Sequence, residues 1–415
     1  MSMPRLRPWG CERVKYVIIQ GDGMSDLPVE SLGGLTPLEK AHTPNMDMIA
    51  AKGRLGLVTT IPEGFAAGTD VGTMSILGYD PARYHTGRSP IEAASMGIEL
   101  GDDDIAFRCN LVTLEEREGE TVMADFTAGH IGNDEAGELI TAIGAELGDG
   151  EVEFHPGVSY RHLMVWHGGE DSMETTPPHD ITDRGVGGHL PAGTGSERLL
   201  ELSEGAREIL AAHPVNERRR AAGLAPATDI WLWGQGRRSK VPTLAERFGV
   251  SGGVITAVDV VAGLGRMAGL DRVEVPGITG FIDTNWQGKG DYALAALEDH
   301  DLIFVHVEAT DESGHMGDAA LKVESIEKLD DKVIGTILAG MDRYDRWRIM
   351  VLPDHATPVS LKTHTADPVP FAILDSAGGT GSGRAYSERE AAATGESIDE
   401  GHMLLEQFME ADDAA

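Results

Sequence analysis

Two cysteines in 415 residues, Cys11 and Cys109, are too few for a disulfide framework, and neither has a near neighbour at metal-ligand spacing. A reduced, cytoplasmic protein is expected. Basic residues are also scarce: 34 Lys and Arg stand against 68 Asp and Glu, a formal net charge of -34. Such a chain repels a phosphate backbone, and no basic patch interleaved with aromatics offsets the repulsion, so nucleic acid is a poor partner. An acid-rich surface in which Arg outnumbers Lys serves solubility and is also a pattern of adaptation to salt. No apolar stretch is long enough for a signal peptide or a membrane span, and residues 1–10, with Arg5 and Arg7, read as a frayed leader. There is no internal repeat. The glycine-rich stretch 378–383 lacks both the strand-to-helix nucleotide fingerprint and the Lys-Ser/Thr ending of a P-loop, so it reads as a surface loop.

What is present is a globular composition, 41% apolar and 25% charged, in a chain too long for one ordinary core. Tyr16-Val-Ile-Ile-Gln20 is a short apolar run ending in Gly-Asp-Gly, as in a central parallel strand that opens into a loop. The pattern recurs in Leu302 to Val307 before Asp311, and in Ile349 to Leu352 before Asp354 and His355. Three strands thus deliver acids and imidazoles to one sheet edge, where open α/β sheets bind ligands. Residues 318–338 carry apolar positions at helical spacing and predict a crossover helix, and Thr43-Pro44 predicts a helix start capped by Thr43. Between these segments, residues 108–233 hold four β-rich pieces, a polar loop over 175–195 and a helix over 197–213. An inserted α+β domain over 108–233 is therefore expected inside a core formed by 12–107 and 234–415, with a tail helix over about 388–410.

Asp311 and His315 lie four residues apart, so one helical turn points both to the same side. That pair alone is common at helix caps. Joined by Asp354, His355, His364 and Asp22 at predicted strand ends, it becomes an oxygen and nitrogen ligand set suited to divalent Zn, Mn, Co or Mg. Two such ions clamp a phosphoryl group and activate a hydroxyl. Gly68-Thr69-Asp70 supplies a hydroxyl at a loop-to-helix junction, where Thr69 is either a nucleophile or an ordinary N-cap.

The motifs Gly21-Asp22-Gly23-Met24, Thr43-Pro44-Asn45-Met46-Asp47, Gly68-Thr69-Asp70, Leu77-Gly78-Tyr79-Asp80-Pro81 and Thr86-Gly87-Arg88-Ser89-Pro90 occur in that order. Thr310-Asp311 to His315, Pro353-Asp354-His355 and Lys362-Thr363-His364-Thr365-Ala366-Asp367-Pro368 follow. Together they closely resemble the archaeal-type cofactor-independent phosphoglycerate mutases of the alkaline phosphatase superfamily, from about Val14 to Leu374. The resemblance implies an α/β, alkaline phosphatase-like core with a mostly parallel sheet, interrupted by a substrate-gripping domain. It implies two divalent metal ions (Mn, Mg, Co or Zn) without 2,3-bisphosphoglycerate, one held by Asp22, Thr69, Asp354 and His355, the other by Asp311, His315 and His364. The family usually carries Ser where this chain has Thr69, and the extra methyl restricts the attacking oxygen.

A phosphoglycerate substrate carries phosphate and carboxylate, which guanidinium groups match in bidentate fashion. Arg88, Arg108, Arg161 with His162, and Lys240 are the cations in motif-like surroundings. The resemblance also places Pro178-His179-Asp180-Ile181 at the site, with Asp180 either moving the proton of the glycerate hydroxyl or forming a plain Asx-turn. The implied reaction interconverts 3-phosphoglycerate and 2-phosphoglycerate through phosphorylated Thr69, as in glycolysis and gluconeogenesis. Trp231-Leu232-Trp233-Gly234-Gln235-Gly236 reads as a strand and turn returning to the core. It also resembles a bacterial branch proposed to be a homoserine kinase, which leaves a related phosphotransferase or a phosphatase as alternatives.

Overall fold

In the computed structural model, which describes residues 14–410, the short apolar runs form a buried, mostly parallel sheet. The expected leader, Cys11 and the outer ends of the expected core domain, residues 12–13 and 411–415, lie outside the described residues. Strand Lys15–Gly21 is buried at every position and pairs in parallel with Leu302–Val307 on one side and Trp347–Leu352 on the other. Burial on both faces is what a run without polar alternation requires. The eight-stranded sheet continues through Gly252–Ile255 beyond Leu302–Val307. On its other side Val369–Asp375 runs antiparallel to both of its neighbours, Trp347–Leu352 and Arg54–Val58.

Two compact units contain the chain: residues up to Tyr84 with those from Val241 onward, and His85–Lys240. The second unit is wider than the expected 108–233. Boundaries at Arg108 and Trp233 would cut through strands Asp104–Arg117 and Asp229–Arg237, which pair with each other along most of their length. Trp231 to Gly236 therefore belongs to the sheet of the second unit and does not return to the core. Asp104–Arg117 is the spine of this five-stranded antiparallel sheet, pairing also with Glu120–Asp125 and Arg161–His167, and Val152–Val158 completes it. Helices Asn133–Leu147 and Ser196–Ala212 cover one face, burying Phe107, Cys109, Leu111 and Met164 against Leu139, Ile140, Leu199 and Leu202. Each such side chain removed from water contributes about 1.5–3 kcal/mol.

In the first unit the crossover segment is helical as its spacing predicts, over Ala319–Lys328 and Gly335–Met341, with a π-helical turn at Leu329–Ile334 between them. That turn presents the buried Asp330, whose carboxylate accepts from the backbone N–H groups of Asn45 and Met46 at 3.1 and 2.7 Å. The helix Pro44–Lys52 is thus capped from a distance, and Thr43 makes no side-chain cap. The tail is not one helix: Glu388–Ala392 and Leu404–Met409 are separated by Ser397–Ile398, which adds a parallel edge strand to Arg54–Val58. Among the described residues no helix is long and apolar enough to cross a membrane.

Candidate functional site

Asp22, Asp311 and the pair Asp354-His355 follow the carboxyl ends of three neighbouring parallel strands, so pairing alone brings them together. Two glycines let the backbone come close enough. Gly23 has φ +55, and a Cβ there would overlap Asp311 Oδ1 and Thr357 Oγ1. Gly72, in helix Thr69–Ile76, lies against Asp354, whose carbonyl oxygen would sit 2.6 Å from an added Cβ. This contact sets Thr69, the first residue of that helix, with its hydroxyl 3.5 Å from His355 Nε2.

The imidazoles are oriented by acceptors. His315 Nδ1 lies 3.0 Å from the Lys362 carbonyl and His364 Nδ1 lies 3.2 Å from the Ala67 carbonyl. A carbonyl only accepts, so both Nδ1 atoms carry hydrogen and both Nε2 atoms point inward. They meet at 2.9 Å, with Asp311 at 3.1 Å from His315 and 3.5 Å from His364. Two facing lone pairs beside a carboxylate need a cation between them. Without a metal, protons supply it: the bond to Asp311 pushes His315 up to about 9, and His364 also rises because Asp311 outweighs its burial. Burial would raise Asp311, but hydrogen bonds from the two histidines hold it well below the usual carboxylate range.

The second half of the centre is fully buried. His355 Nε2 lies 3.4 Å from both Asp22 Oδ1 and Asp354 Oδ2, and neither of those oxygens has a hydrogen-bond partner. Burial, reinforced by the charges of Asp354, Glu308 and Asp311, pushes Asp22 well above its ordinary value; burial also raises Asp354 against the opposing effects of His355 and the Gly23 N–H, and lowers His355. Unpaired buried carboxylate oxygens are costly unless a cation takes them. Asp311, His355 and His364 offer ligand atoms within 4.8 Å of one another, as do Asp22, Asp354 and His355. Oxygen and imidazole donors of this kind fit divalent Mn, Mg, Co or Zn.

Three further residues escape the motif reading. His306 Nε2 lies 2.8 Å from Asp22 Oδ2, and its Nδ1 lies 3.0 Å from Thr256 Oγ1. Glu308, pushed up to about 8 by burial, completes a group with Asp22 and His306. Buried Lys289 donates to the His306 carbonyl at 2.7 Å, and burial lowers it to about 8. The sequence does carry one signal, a histidine interrupting the apolar run Leu302 to Val307. What that histidine contacts depends on the register of Gln20 opposite His306.

The second unit gathers the arginines. Arg108, Asn110, Arg161 and Trp233 share one sheet face through the registers Arg108↔Trp233 and Asn110↔Arg161. The Arg108 guanidinium lies 4.5 Å from the Trp233 ring centroid and 3.2 Å from Glu92. Burial lowers Arg108, and the nearby charges of Arg88 and Arg161 lower it further. Its buried Nε has no hydrogen-bond partner. The His179 ring lies 5.4 Å from that of Trp233 and is lowered by burial and by the fields of Arg108 and Arg88. Asp180 is exposed and lies 3.7 Å from His179. Two expected substrate residues are elsewhere. His162 follows Arg161 on a strand, so it faces the opposite side, paired with Cys109, where its Nδ1 accepts from Gly157 N–H at 3.0 Å. Lys240 forms an exposed ion pair with Asp102 at 2.7 Å.

A model of the 2,3-bisphosphoglycerate-independent phosphoglycerate mutase family matches residues 50–216. A probable enzyme of that name from Geobacter sulfurreducens is 49% identical over 398 residues, covering 96% of this chain and all of the relative. One from Methanosarcina acetivorans is 48% identical, covering 92% of this chain and 96% of the relative. Among solved structures, a Pyrococcus horikoshii protein aligns over 97% of this chain and 100% of its own with 31% identity and a TM-score of 0.81. The cofactor-independent phosphoglycerate mutase of Thermoplasma acidophilum aligns over 95% and 99% with 26% identity and a TM-score of 0.68. Similarity at this level along nearly the whole length, carried by a chain whose strand ends gather acids, imidazoles and a helix-start hydroxyl, is decisive: the protein belongs to the 2,3-bisphosphoglycerate-independent phosphoglycerate mutase family.

Proposed function

We propose that the protein interconverts 3-phosphoglycerate and 2-phosphoglycerate in the cytoplasm, with Thr69 carrying the phosphoryl group between the two hydroxyls. The observation that carries this reading is Thr69 Oγ1 at a helix N-terminus, 3.5 Å from an imidazole nitrogen that faces two unpartnered carboxylate oxygens. Asp22, Thr69, Asp354 and His355 would hold one divalent ion, and Asp311, His315 and His364 a second. When bound, such ions neutralise the carboxylates, draw charge from the phosphoryl oxygens and favour the ionised hydroxyl.

Thr69 Oγ1 forms the new bond to phosphorus while the bond from phosphorus to the substrate 3-oxygen breaks, and that oxygen takes up a proton as glycerate forms. The 2-hydroxyl of the same glycerate then loses its proton and attacks phosphothreonine, releasing Thr69. Asp180 is the group proposed to give and take these protons. Arg88, Arg108 and Arg161 supply the bidentate donors for the carboxylate, with His179 beside them. Arg108 is suited to this because its buried Nε lacks a partner.

The test is 3-phosphoglycerate turnover with an enolase-coupled readout. The chelated protein should be inactive and recover on addition of manganese. Thr69→Ser should stay active, whereas Thr69→Ala should lose about 10³-fold or more. Retained turnover in the alanine variant removes Thr69 from the mechanism. Intact metal binding without mutase turnover moves the function to a phosphotransferase acting on another small hydroxyl compound.

A further inference from the structure

Thr357 occupies an unusual place between the two halves of the metal centre. It is fully buried, two residues past His355, and its hydroxyl touches both halves. Oγ1 lies 2.5 Å from Asp311 Oδ1 and 3.2 Å from His355 Nδ1. A hydroxyl has one hydrogen. Given to the acceptor-only carboxylate of Asp311, it leaves the Thr357 oxygen to accept from His355 Nδ1–H. The lone pair of His355 is then on Nε2, facing Asp22 Oδ1 and Asp354 Oδ2.

The backbone of Thr357 is pinned. Its N–H donates to the Ser25 carbonyl at 3.1 Å, and its carbonyl accepts from Lys322 Nζ at 2.8 Å. Lys322 is itself fully buried and paired with Asp26 at 2.8 Å. Gly23 and Gly314 crowd the residue from two sides, since a Cβ on either would strike it.

We infer that Thr357 is a positioning residue that couples the two metal positions, so that an ion on one side fixes Asp311, Thr357 and the His355 tautomer and thereby prepares the other side. This rests on the two-ion reading above. Groups that orient metal ligands typically contribute 10–100-fold in affinity, and reciprocal coupling of the two sites follows from linkage.

The experiment is calorimetric titration of chelated full-length protein with manganese, with bound metal counted by mass spectrometry. The wild-type protein should bind two ions, the second more tightly than independent sites allow. Thr357→Val keeps the shape without the hydroxyl and should bind each ion about 10-fold or more weakly, with the coupling lost. Thr357→Ser keeps the hydroxyl and should titrate as the wild type does. A purely structural role would lower the melting temperature of both variants without separating serine from valine, and that result overturns the inference. So does a valine variant with the wild-type isotherm. If the valine variant does not fold, the serine variant decides alone, because loss of coupling there excludes the hydroxyl as the link. A wild-type protein that binds no manganese overturns the two-ion reading itself, which two bound ions with unchanged coupling in the valine variant would leave intact.

Discussion

A cluster of acids and imidazoles is buried in the first unit, whereas in the second Arg108 and Arg161 share a sheet face and Arg88 opens the helix Arg88–Met96, and the two clusters manage like charge differently. Asp22, Asp354 and His355 are fully buried and Asp311 nearly so. Their oxygens can lie this close only if cations, protons or metals, lie between them. Of the three clustered arginines, Arg88 and Arg161 are exposed and Arg108 is buried, braced by Glu92 and the Trp233 ring. Guanidinium groups do not shed their protons, so the like charge of this cluster is not relieved by titration, and Arg108 is instead offset by the carboxylate of Glu92. The acid and imidazole cluster is thus tightly specified by its own contacts, while the cationic cluster is specified by a strand face carrying Arg108 and Arg161 and by the start of the helix Arg88–Met96.

The sharpest way to break this contrast is Gly23→Ala, whose methyl would push Asp311 and Thr357 out of place. Manganese affinity should fall by about 10²-fold or more, with turnover following it. Unchanged metal binding would mean that the centre is as tolerant as the arginine face. Arg108→Ala should lower kcat/KM for 3-phosphoglycerate by about 10²-fold, the equivalent of one charged contact of about 3 kcal/mol, while bound metal stays the same. Arg108→Lys should recover little of this, because lysine lacks the planar fork.

The smallest effect concerns acid stability of the second unit. Burial lowers His162 to about 4, below its ordinary 6.5. A depressed histidine stabilises the fold above pH 6.5, and that contribution is lost as pH falls toward 4. Between pH 6.5 and 5 the loss is on the order of 2 kcal/mol. Urea unfolding of His162→Gln should show a flatter pH profile over this window than the wild type, and equal slopes would show that His162 is not held neutral by its site.

The convergence of Asp22, Asp311 and Asp354-His355 was legible because each follows an apolar parallel strand, which must release its chain at the sheet edge, whereas His364 reaches them from the loop before Val369–Asp375. The insertion was legible from the change in pattern near Arg108, but its limits were not, since the strands that cross them look continuous only once Asp104–Arg117 is seen paired with Asp229–Arg237. Thr43 met every local criterion for a cap and is displaced by Asp330, nearly 290 residues away, through the bonds to Asn45 and Met46. Arg161 and His162 were adjacent in one motif, and strand alternation sends them to opposite faces.

By itself, then, the amino-acid sequence determined which candidate groups stand side by side: Asp311 with His315 in one helical turn, Asp354 beside His355, and Thr69 after a glycine, all local relations written within a few residues. Only the tertiary structure decided what holds those groups. His306 reaches Asp22 across 284 positions, and Thr357 joins Asp311 to His355 across 46. Such partners are set by strand register and loop packing, which depend on the whole sheet being assembled.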